Sequence, residues 1–79
     1  MSIPIEIKLV QNKVGQGVYR LIMDRVQNNQ YLSETDAAKE IAFMMGISHK
    51  ATKKHWNNWK TENLDDYKLL KKNMRELKK

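Results

Sequence analysis

The sequence predicts a mostly α fold, a small helical bundle with an N-terminal extended arm or strand. Three observations carry this prediction. Apolar residues recur every three or four positions in several stretches, the period of an amphipathic helix. Serine stands immediately before two of those stretches, where a helix N-cap belongs. The first residues, by contrast, alternate apolar and polar, the period of a strand.

"IPIEIKLV" puts Ile3, Ile5, Ile7 and Leu9 on one side and Pro4, Glu6 and Lys8 on the other. This is the pattern of a half-buried strand. Pro4 lacks a backbone N–H and favours an edge or a strand's first residues. No second strand is visible, so this one is expected to pair with another copy, pair with a partner protein, or lie as an arm on the helices. "QNKVGQG" reads as a flexible joint, because Gly15 and Gly17 disfavour a helix interior. The expected division is therefore residues 1–13 as the arm or strand and residues 14–79 as the helical domain.

"VYRLIMDRVQNN" is the first expected helix. Val18, Leu21, Ile22, Arg25 and Val26 form its stripe, with the stem of Arg25 lying along it. "NNQ" ends it. "SETDAAKEIAFMMG" is the second. Ser33 is its N-cap, and Glu34 and Asp36 suit the positive end of the helix dipole. Ala38, Ile41, Ala42 and Met45 make the inner stripe, and Gly46 stops the helix in the left-handed conformation. "SHKATKKHWNNWK", residues 48–60, is the third, capped by Ser48. The fourth carries Leu64, Tyr67, Leu70, Met74 and Leu77 on one face, with Asp65 and Asp66 early and lysines late. Trp56 and Trp59 are expected in the core, Trp59 the more exposed of the two. Met23, Met44, Met45 and Met74 are expected to fill gaps there.

Charge narrows the function. The chain has 79 residues and a net charge of +6. Residues 1–46 hold five basic and five acidic residues; residues 47–79 hold ten basic and four acidic, so the whole +6 lies in the second part. Such asymmetry points to a polyanion partner. Cysteine is absent, which excludes disulfides and thiolate metal sites. His49 and His55 lie six residues apart, about 240° around one helix, too far to chelate one metal. No nucleophile–base pair, metal set or cofactor loop emerges, so neither an enzyme nor a bound cofactor is expected. No apolar run approaches the roughly 18 to 20 residues of a membrane helix. The N-terminus lacks the pattern of a signal peptide. A cytoplasmic location is expected.

The second helix, the Gly46 turn and the basic third helix resemble the helix-turn-helix of small phage-repressor-type DNA-binding proteins, over residues 38–57. That motif places a small residue four positions before a turn glycine and an aliphatic residue directly after it; here these are Ala42, Gly46 and Ile47. Two positions depart from it. Thr52 and His55 stand where apolar residues usually turn inward, so Ala51 and Trp56 are expected to fill that core on a rotated helix. The resemblance implies double-stranded DNA binding through the third helix in the major groove, and a small transcriptional regulator. The residues it implies at the DNA are Ser48, His49, Lys50, Lys53, Lys54 and Asn57, with Lys60 towards the end of the helix. Lysines neutralise phosphates or donate to guanine, and asparagine pairs an adenine edge. The helix has no arginine for bidentate guanine readout.

Other readings remain open. The lysines suit a merely solvated face as well. A strand followed by two helices also resembles ribbon-helix-helix repressors, and residues 3–45 fit that order, although Glu6 would face phosphates. The rival from another class is a protein-interaction module or small inhibitor that binds a host or regulatory protein through the N-terminal strand or the C-terminal helix. For a homodimer, the strand from Ile3 to Leu9 and the Leu64–Leu77 stripe are the two candidate surfaces.

Overall fold

The expected joint at Gly15 and Gly17 is helix. In the computed structural model, which describes residues 5–77 and side chains from residue 12 onward, α1 runs unbroken through Ile5–Gln27. The strand expected from Ile3 to Leu9 is not found: residues 1–4 lie outside the described part, and from Ile5 the backbone is helical. The physical reason is visible at Gly15, which is buried against α3 (His49–Glu62). A Cβ at this position would overlap the Cβ and Cγ of Trp59. The glycine costs helix propensity, roughly 1 kcal/mol relative to alanine, and in exchange lets the two helices meet at backbone distance.

The first turn out of α1 is closed by asparagine. Asn29 takes a left-handed φ of 57°. The N–H of Gln30 donates to the Arg25 carbonyl at 2.8 Å, and that of Asn29 to the Val26 carbonyl at 3.0 Å, the paired bonds of a Schellman end. Helix α2 (Glu34–Met45) begins at Ser33, whose Oγ accepts from the Asp36 N–H at 3.1 Å. It ends at Gly46, φ 68°, a conformation a Cβ resists. Ile47 N–H donates to the Ala42 carbonyl, and Ile47 packs against the core. Ser48 immediately starts α3, its Oγ accepting from Ala51 N–H at 3.1 Å. Asn63 then leads directly into α4 (Leu64–Leu77).

Helix α1 is the central element, packed against all three others, while α3 also packs against α2 and α4. Val14, Val18 and Ile22 supply its buried stripe. They meet Ala37 and Ile41 of α2, Trp56 and Trp59 of α3, and Leu70 and Met74 of α4. Both tryptophans are 3% exposed, so Trp59 is no more open than Trp56. Trp59 stacks on Trp56 at 5.3 Å between ring centroids and meets Tyr19 of α1 at 4.9 Å. The methionines divide. Met74 is core and Met23 packs on it, but Met44 and Met45 are exposed. Leu70, Met74 and Tyr67 of the α4 stripe are committed to this core, so they are not free for a dimer. The result is an all-helical domain with no strand among the described residues, and no described helix is long and apolar enough to cross a membrane.

Candidate nucleic-acid interface

Helix α3 has two unlike sides. Inward lie Thr52, Trp56 and Trp59. Thr52 is fully buried, so the helix is not rotated to bring Ala51 inward; Ala51 and His55 are only half-buried. The hydroxyl of Thr52 donates to the Ser48 carbonyl at 3.0 Å, which lets a polar residue occupy an apolar position without an unmet hydrogen bond.

Outward lie Lys50, Lys53, Lys54 and Asn57, all exposed. At 100° per residue these four fall within an arc of about 100°. Among the described residues none of the three lysines is held in an ion pair. Lys53 and Asn57 also edge a shallow pocket of about 210 Å³ that reaches the first turn of α2 at Glu34, Thr35 and Ala38. Such a face presents three exposed cations and one amide, chemistry suited to phosphate oxygens and base edges.

The remaining residues of the expected set are placed differently. The Ser48 side chain is occupied as the helix cap. His49 is half-buried, with Nε2 shut from solvent and without a hydrogen-bond partner, so it lies beside the exposed arc rather than in it. Lys60 is turned to Glu34 and is not in the outward group.

Glu34 is the residue that sequence reasoning undervalued, treating it only as a first-turn acid. Its carboxylate joins three helices. One oxygen accepts from the Trp56 indole N–H at 2.9 Å and from Lys60 Nζ at 3.4 Å. The other accepts from the Tyr67 hydroxyl at 3.1 Å and from Lys71 Nζ at 3.4 Å. No backbone contact links α2 with α4 among the described residues, so this carboxylate spans them. Burial raises the pKa of Glu34, but the Trp56 bond, the Lys60 charge, the Tyr67 bond and the Lys71 charge together outweigh it and hold the carboxyl below its ordinary range. Burial, then the charge and hydrogen bond of Glu34, push the Tyr67 phenol up. Lys60 also lies over the Trp56 and Tyr67 rings, at 5.6 and 5.1 Å from their centroids. One signal for this cluster was present: a buried indole N–H needs an acceptor. Which acid would supply it, 22 residues away, has no local signature.

Comparisons with protein-family models, with curated proteins and with solved structures find no match for this chain.

Proposed function

We propose that the chain binds double-stranded DNA, with α3 in the major groove, and serves as a small transcriptional regulator of the helix-turn-helix kind. One observation carries the reading. Lys50, Lys53, Lys54 and Asn57 share an exposed face of a helix that follows α2 through a left-handed turn at Gly46, and that face is free of ion pairs among the described residues. The three lysines meet phosphates, and Asn57 meets a base edge or the backbone. Lysine in place of arginine makes the contact stronger in charge than in base discrimination. The ribbon-helix-helix alternative has little support, since the backbone is already helical from Ile5.

The test is a fluorescence-anisotropy titration of a labelled random duplex at several salt concentrations. Binding is expected to weaken linearly in log–log form, with each lysine contributing about 0.9 to the slope. Alanine at Lys50, Lys53 and Lys54 together flattens the slope by roughly 2.7. A folded protein that leaves the duplex untouched at low salt overturns the reading.

A further inference from the structure

Helix α4 carries a second cationic face. Lys68, Lys72 and Arg75 are all exposed, and none of them is held in an ion pair among the described residues. At 100° per residue the three fall within an arc of about 60°. On one edge of this arc stands Lys71, whose Nζ lies 3.4 Å from a Glu34 oxygen. On the other edge stand Asp65 and Glu76. The helix dipole accounts for Arg75, in the last turn, but not for Lys68, in the second turn.

We infer that the nucleic-acid interface continues from α3 onto α4, with Lys68, Lys72 and Arg75 on the phosphate backbone beside the groove that α3 enters. The inference rests on the DNA reading and adds to it where the flanking strand runs. Glu34 joins the two faces. It holds Lys60, which lies within about 20° of Lys53 around α3, and Lys71 at the edge of the α4 arc, each 3.4 Å from a different oxygen. The two arcs therefore meet at one carboxylate, and its charge is countered by two lysines, so no net acid divides them.

Spacing agrees with this course of the strand. Helices α3 and α4 pack on each other, and packed helices have axes about 8–10 Å apart. The major groove is roughly 12 Å wide. With α3 along the groove, a helix at that distance stands over the groove wall, where the phosphates are. Chemistry selects phosphate over a protein surface. The core of a protein interface is depleted in lysine and built on an apolar centre, whereas here three long cations stand together. All three offer N–H donors only, which match oxygens that only accept.

The salt dependence of duplex binding by the full chain tests the inference. Lys68→Ala, Lys72→Ala and Arg75→Ala combined should flatten the log–log slope by roughly 2.7, at about 0.9 per contact. The circular-dichroism melt should hardly move, because all three side chains are exposed. The variant with alanine at Lys50, Lys53 and Lys54 should keep a residual slope of about the same size. Lys13→Ala with Arg20→Ala removes two exposed cations of α1 and is the control, expected to stay near the parent slope. A parent slope in the α4 variant, with a flattened one in the α3 variant, overturns the inference and leaves the DNA reading standing. The α4 face is then solvated or meets an acidic protein. If the α1 pair costs as much slope per cation as the α4 triple, net charge alone is being read, and the inference falls as well. A folded chain that binds no duplex at low salt takes down both.

Discussion

Lys53 and Lys60 sit seven residues apart on α3, so they fall within about 20° of each other around the helix axis. They nevertheless do different work. Lys53 is exposed and outside the ion pairs of the described residues, whereas Lys60 is bound to Glu34 and covers two aromatic rings. Helical phase does not separate them; what lies opposite does. Near its N-terminal end the face looks outward past α2. Near its C-terminal end it meets Glu34 and the start of α4. The structural side of α3 is thus defined by the partners α1, Glu34 and α4, and the side left over is the candidate interface.

The sharpest way to break that division is through the seat of Trp59. Gly15→Ala forces a Cβ into Trp59 at its own Cβ and Cγ, atoms that cannot swing away as a side-chain tip does. The expected loss is about 3 kcal/mol, the upper end for overpacking, or a fall in Tm of more than about 10 °C by thermal denaturation. Gly17→Ala is the control in the same helix. Its new Cβ would lie 3.5 Å from Ile41 Cδ1, an ordinary contact, and relief of the glycine penalty should stabilise by up to about 1 kcal/mol. Equal effects from the two changes would mean that α1 and α3 do not pack at Gly15.

The next effect in size is that of Glu34. Glu34→Ala takes the acceptor from the Trp56 N–H and the Tyr67 hydroxyl and the counter-charge from Lys60, and should cost about 2 kcal/mol, in the range for hydrogen bonds to a charged, partly buried group. The cluster also has a pH signature. A carboxyl held below its ordinary value of 4.5 contributes stability that is present above its unfolded pKa and is lost as pH falls through its folded pKa. The Glu34 share of stability therefore disappears on acidification from about pH 4.5 downward. Urea unfolding of Glu34→Gln should show a flatter decline across that acid range than the parent chain. A parallel decline would remove Glu34 from the account.

These two tests also mark the border of what was legible beforehand. Ser33 and Ser48 announced their caps, because N-capping is a local exchange between a side chain and an N–H three residues on, and Gly46 announced its stop because a left-handed φ suits a residue without a Cβ. Ala38, Ile41 and Ala42 of α2 and Leu70 and Met74 of α4 followed from period, whereas Ala37, fully buried in the core, did not. The length of α1 was not legible. Two glycines argue locally for a break, and the reason they do not make one is Trp59, 44 positions away from Gly15 in the chain. The exposure of Met44 and Met45 was missed because an apolar run before a capping glycine looks like core, and nothing local shows which of its residues meet another helix. For the candidate interface, the four outward residues Lys50, Lys53, Lys54 and Asn57 could be read from helical phase. The separate fates of His49 and Lys60 could not, because packing against other helices decided them.

The smallest expected effect on stability is the one that separates the two kinds of lysine. Lys54→Ala removes an exposed cation and should move stability by less than about 0.5 kcal/mol. Lys60→Ala removes a partly buried partner of Glu34 and its cover over Trp56 and Tyr67, and should cost about 1–2 kcal/mol. Duplex binding should show the opposite order. Lys54→Ala should reduce the salt slope by about 0.9, while Lys60→Ala, still folded at the assay temperature, should leave that slope close to its parent value. Measured together, melting and salt dependence give each lysine two coordinates. If Lys60 moved the slope as much as Lys54 did, the carboxylate of Glu34 would not be holding it, and the interface would extend along the whole of α3.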